Sequence, residues 1–157
     1  MEEIEEQNNT SLPDFAFLVD TATEFAGKWY DVHTLPGIGS VPGFKRIKVR
    51  STYTKDHQDA VAKARTRAIK EYSAADRADF LEKEKGKIAI EHCFKDWELV
   101  DKHGNEVPFD VDLAYRLCTM EDENGMNPAR KFLEVFNTAV AVIQGELSLN
   151  IEEDEGN

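Results

Sequence analysis

The chain is poor in residues that would mark several functional classes. Only Cys93 and Cys118 carry thiols, and neither lies in a Cys-x-x-Cys pair, so the sequence holds no disulfide framework and no cysteine zinc site. Both read as partly buried, inert thiols. The four histidines, His33, His57, His92 and His103, are scattered, with no second histidine at i+4 and no His-Glu-x-x-His run. No apolar stretch approaches the roughly 18 residues needed to span a bilayer, and "MEEIEEQNNT" is acidic where a leader would be basic then apolar. The expectation is an unprocessed cytosolic chain with no membrane partner. Basic residues are also scarce: 19 Lys and Arg face 31 Asp and Glu, a formal net charge of −12. Such a field repels phosphates and argues against nucleic acid as the default partner.

Catalytic and ligand motifs fail on chemistry. "PGIGSVPGFK" has the glycines of a phosphate loop, but its prolines remove amide donors and a strand follows where a helix is needed. "DKHGNEVPFDVD" places Gly104 too early and leaves Asp112 where a calcium loop needs a bidentate Glu. His92 and Cys93 are neighbours in a helical stretch and so point about 100° apart, which prevents the easy proton sharing a nucleophile requires. The sequence implies no cofactor and no metal.

What is present is a globular chain of 157 residues, 41 % hydrophobic and 32 % charged, near the size of one domain. Residues 1–14 read as a disordered acidic segment, residues 15–146 as the folded domain and residues 147–157 as an acidic tail. The apolar stretch "FAFLVDTATEF" fits a strand or a helix equally. "KWYDVHTL" and "FKRIKVRST", separated by a glycine and proline loop, predict a β-hairpin near the amino end. Alternation in its second arm sets Ile47 and Val49 on one face and Arg46, Lys48 and Arg50 on the other, a face that is solvated or meets an acidic surface.

Four helices follow in the pattern. "HQDAVAKARTRAIKEY" can be capped by Thr54 or Asp56 and aligns Val61, Ala64, Ala68 and Tyr72. Ser73 and Asp76 resemble a capping box that opens a second helix, with Phe80, Leu81, Ile88 and Phe94 as its stripe and Gly86 as a point of weakness. Asp110 caps "VDLAYRLC", where Leu113 and Leu117 lie four apart. Asn127-Pro128 opens the last helix, whose stripe is Phe132, Phe136, Val140 and Ile143. The fold class is therefore α+β, a mainly helical small domain with about four helices, an N-terminal β-hairpin and flexible acidic termini.

Between the second and third helices lies "FKDWELVDKHGNEVPFD". The Gly104 turn suits a minimal hairpin or a pair of extended arms, and Trp97 and Phe109 stand in a connection where polar residues are the rule. The order of a basic strand, a charged helix, Trp97, Asp101, Gly104, Val107, Pro108, Phe109 and Asp110, then final helices, resembles the siphophage-type tail assembly chaperones over residues 26–145. "MEDENGMN" lengthens the connection before the last helix relative to that pattern. The resemblance implies a protein that is neither an enzyme nor part of the mature virion. It would act in the cytoplasm of the infected host, bind the tape measure protein, keep it soluble and help bring tail tube protein to it, with self-association possible.

Trp97, Gly104, Pro108 and Phe109 would then be structural anchors, each buried ring covering about 150–250 Å². Phe132 and Phe136 of the last helix, with the hairpin face of Arg46, Lys48 and Arg50, are the candidate partner-binding residues. A structural tail or neck component is the alternative. A small nucleic-acid binder using the basic hairpin, with Trp29, Tyr30 and Tyr53 as stacking platforms, is the remaining one.

Overall fold

A computed structural model describes residues 25–156, with side chains described for residues 25–146. The acidic segment 1–14 and the ambiguous stretch that begins at residue 15 lie outside the described residues, apart from Phe25. Among the described residues the fold is α+β, with four helices and a three-stranded antiparallel sheet.

The expected hairpin is present. Strand β1 (Lys28–Asp31) pairs with β2 (Phe44–Val49), and a short 3-10 turn at Val32–Thr34 leads into the connecting loop. Gly43, at φ 79°, closes that loop beside Val100, whose N–H donates to the Gly43 carbonyl at 2.9 Å. A Cβ at Gly43 would sit 2.5 Å from the Val100 carbonyl oxygen, so only glycine fits there.

Helix α1 (Lys55–Glu71) and helix α2 (Ala74–Cys93) form an antiparallel pair. Thr54 is the N-cap of α1, while Asp56 sits in its first turn. Ala64 and Ala68 are buried against α2, and their small size lets the two helices approach closely. At the far end Tyr72 stacks on Phe80 with ring centres 4.2 Å apart. The Arg77 guanidinium there donates to the carbonyls of Ala68, Ile69 and Tyr72; Ala68 already accepts from the Tyr72 N–H, whereas the Ile69 carbonyl is one that the end of α1 leaves open. The expected capping box takes another form: Ser73 Oγ donates to the Asp76 carboxylate at 2.9 Å, so the two side chains satisfy each other. Helix α2 runs unbroken through Gly86.

Phe94 corrects the sequence expectation. Helix α2 stops at Cys93, and Phe94 opens strand β3 (Phe94–Leu99), which pairs with β2 and gives the sheet order β1-β2-β3. The aromatic and apolar run Phe94, Trp97, Leu99 favours a pleated, half-buried surface, and it overrides continuation of the helical stripe. The sheet's inner row places Tyr30, Ile47 and Trp97 side by side. Helix α3 (Val111–Thr119) starts as expected, with Asp110 accepting from the Leu113 N–H at 3.1 Å. Its core-facing positions are Ala114 and Cys118; Leu113 and Leu117 are half-buried beside them.

Helix α4 (Arg130–Gly156) carries Val135, Phe136, Ala139, Val140 and Ile143 into the core beneath the sheet. Asn127 accepts from the Ala129 N–H at 2.7 Å and donates to the carbonyls of Leu117 and Cys118, so it caps the start of α4 and closes the end of α3 together. The backbone of α4 stays helical to Gly156, across most of the stretch whose sequence suggests a separate tail.

Candidate functional site

The connection between α2 and α3 folds as one unit around Phe94. Trp97 Nε1 donates to the Val107 carbonyl at 2.7 Å, tying β3 to the segment after the turn. The Trp97 ring meets Phe109 edge-on at 5.0 Å and Phe94 edge-on at 5.7 Å. Phe94 in turn stacks on Phe109 at 5.6 Å and lies parallel to Phe136 of α4 at 5.1 Å. Such offset and edge contacts add to the burial of each ring. Trp97 is buried, Phe109 half-buried and Pro108 exposed at the entrance to α3. Trp97 and Phe109 both pack against Phe94, the ring they share.

The turn itself is built by Asp101, whose carboxylate accepts from the N–H groups of His103 and Asn105 while Gly104 takes φ 82°. Those two amides keep the Asp101 carboxyl below its ordinary pKa, led by Asn105. Asp122 repeats the arrangement: it accepts from Asn124 and Met126, with Gly125 at φ 75°. "DKHGN" and "DENGM" are two copies of one loop design.

The hairpin's outer face differs from the sequence expectation. Arg46 is held between Glu98 at 2.9 Å and Asp31 at 3.7 Å, with its guanidinium 4.5 Å from the centre of the Trp29 ring. Lys48 lies between Trp29 and Asp96 in the pairing register. The acidic surface that this face meets is supplied by the neighbouring strands. Arg50 leaves the face altogether. Irregular pairing at Lys48 and Val49 breaks the alternation, and Arg50 is 4 % exposed. Its Nη2 donates to Asp56 at 2.6 Å.

Asp56 also contacts His92 Nδ1 at 3.2 Å, so the start of α1, the end of α2 and the exit of β2 meet at one carboxylate. The Thr54 hydroxyl, Arg50 and His92 hold Asp56 well below the usual carboxylate range, against the opposing effect of burial. Burial and the nearby His92 ring, 6.2 Å away between centres, lower the pKa of His57. On the last helix, Glu146 accepts from Lys28 at 2.8 Å and from Tyr30 at 3.0 Å. Burial, followed by that carboxylate, raises the Tyr30 phenol.

Neither thiol is a poised nucleophile. Burial pushes Cys93 up to about 11 and Cys118 up to about 12, so both stay protonated near neutrality. Among the described residues no cluster of His, Cys, Asp or Glu could hold a metal ion, and no helix is long and apolar enough to cross a membrane.

The last helix divides its two candidate residues. Phe136 belongs to the core, 3 % exposed; Phe132 is half-buried and stacks on Phe44 at 5.1 Å. Above Phe136 a groove of about 440 Å³ opens between α2, α3 and α4, lined by Gly86, Ile90, Tyr115, Thr119 and Leu133. Lys83 and Lys87 rim it on α2, and Glu121 stands beyond α3. Sequence reasoning reached Phe136 but missed the groove, whose one local signal was a glycine inside a helix. A Cβ at Gly86 would meet no atom within 4 Å; the glycine leaves open space above the groove.

The architecture defines a small α+β domain with an aromatic-centred core and an apolar groove between helices. Comparison with protein-family models, curated proteins and solved structures gave no match.

Proposed function

We propose that this chain is a non-enzymatic tail assembly chaperone of the siphophage type. It binds the tape measure protein, keeps it soluble and helps bring tail tube subunits to it. The observation that carries the reading is the groove between α2, α3 and α4, which suits the apolar stripe of one partner helix. The interdependence of Trp97, Gly104, Val107 and Phe109 supports the same reading, because the residues that carry the resemblance form one structural unit.

A long helical polypeptide with exposed apolar stripes aggregates in water, and a groove on each of many chaperone copies covers those stripes piece by piece. Each contact is weak, and alignment of many copies along one chain supplies the avidity. Lys83, itself paired with Asp79, and Lys87 share the rim with Glu82 and Glu121, so the rim offers charges of both signs to a partner helix.

Co-expression with the tape measure protein of the same gene cluster tests the proposal. The soluble yield of that protein should rise with the chaperone present and fall back with Gly86→Leu, whose side chain fills the groove mouth. Gly86→Leu should itself fold well, because leucine is favoured over glycine in a helix by about 0.8–1 kcal/mol. An unchanged yield with the unaltered chain would overturn the reading. Recovery of the protein from purified virions would favour the structural tail or neck alternative.

A further inference from the structure

We propose that the outward ridge of α1 from a second copy of this chain occupies the groove between α2, α3 and α4, so that copies join ridge to groove. The ridge is Ala62, Thr66 and Ile69, whose spacing stacks them along one side of the helix. All three are exposed, and at 66 % Ile69 is the most exposed large hydrophobic side chain among the described residues. The Thr66 hydroxyl donates to the Ala62 carbonyl at 3.2 Å, so the helix itself absorbs the one polar side-chain group of the ridge. The other side of α1, with Ala64 and Ala68, is buried against α2, and α1 makes at most slight contact with any further described element. The ridge thus points away from α2, which forms one wall of the groove, and α1 cannot fill the groove of its own copy.

Charge favours the pairing. Lys63 and Lys70 flank the ridge on one edge and Arg65 on the other, as the helical step of about 100° requires. None of these three is in an ion pair among the described residues, whereas Lys55 and Arg67 of the same helix are held by Asp59 and Glu71. The groove carries the complement: Glu82 on α2 and Glu121 after α3 line it, and neither has a basic partner among the described residues. Lys83 is paired with Asp79 at 3.3 Å, which leaves Lys87 as the one unpaired cation among the described lining residues. An apolar ridge between free cations therefore meets an apolar floor of Ile90, Leu133 and Phe136 rimmed by free acids. Gly86 leaves open space where the second helix must approach. Ridge and groove are different surfaces, so the contact is heterologous and copies can add in sequence. The inference rests on the groove and on no particular client, so it can fail while the tape measure reading stands, and the reverse.

Sedimentation velocity of the full chain alone tests this. Over rising concentration the unaltered protein should show an average mass that climbs above that of one copy. Gly86→Leu, which fills the groove, and Ile69→Glu, which sets an acid on the ridge, should each stay as single copies throughout. Both positions are exposed and helical, and both changes favour the helix, so each variant should keep the circular dichroism of the unaltered chain. The decisive sample is an equal mixture of the two variants. One supplies an intact ridge and the other an intact groove, so the mixture should form pairs and nothing larger. An unaltered chain that stays single, a variant that associates as the unaltered chain does, or a mixture that stays single would each overturn the proposal.

Discussion

Trp97 does two separable things: its ring fills space against Phe94 and Phe109, and its N–H satisfies the Val107 carbonyl. Trp97→Phe keeps most of the first and removes the second, so chemical denaturation should show a loss of about 1–3 kcal/mol. Trp97→Ala removes both and should cost about 3–5 kcal/mol. The glycines divide in a similar way. Gly104→Ala meets open space and suffers only its positive φ, about 1–2 kcal/mol. Gly43→Ala adds a collision with the Val100 carbonyl and should be clearly worse in the same assay. Trp97 and Phe109 were legible in the sequence because large aromatics in a connection need a place to pack. Phe94 was not, since an apolar residue at the end of a helical stripe reads the same whether the helix continues or a strand begins.

At the scale of elements, the helices were the most readable part, because their stripes recur over several turns and their starts carry caps. Asp110→Ala should destabilise α3 by about 1 kcal/mol, with Asp110→Asn close to neutral, measured by thermal melting. The strands gave less away. Alternation placed Arg46, Lys48 and Arg50 together, but irregular pairing at Lys48 and Val49 turned Arg50 inward to Asp56. A bulge is a relation between two strands, so one strand's sequence does not display it.

The resulting junction of α1, α2 and β2 sets a pH response. His57 has a lowered pKa in the folded chain, so on acidification the unfolded chain takes up its proton first. Stability is full above the unfolded value, about 6.5, and is lost as pH falls below it. Asp56, also lowered, removes more stability as pH falls through the unfolded carboxylate range. His57→Gln should flatten the decline of melting temperature between about pH 7 and 5 while leaving the more acidic decline in place.

For the whole molecule, the aromatic cluster joins the sheet, the connection between α2 and α3, and α4, while the distal half of α1 and α2 is held mainly by the packing of one helix on the other. Amide exchange should therefore be slowest in β2, β3 and the Phe136 turn of α4, and faster around Tyr72 and Ser73. Equal protection throughout would mean that the paired helices open only with the rest of the fold. The groove was invisible in the sequence for a related reason: three helices make it, and each contributes only a few residues that separately look like ordinary core. The fold class, by contrast, followed from the order of one hairpin and four amphipathic stretches.

Both sulfur atoms lie deep in the body and hold their protons far above neutral pH. Maleimide dyes, which react with thiolates, should leave the unaltered protein dark. A cysteine introduced at any exposed position would then be the one bright handle on an otherwise silent background, which makes this chain a ready subject for distance measurements by paired fluorophores without first removing its own thiols.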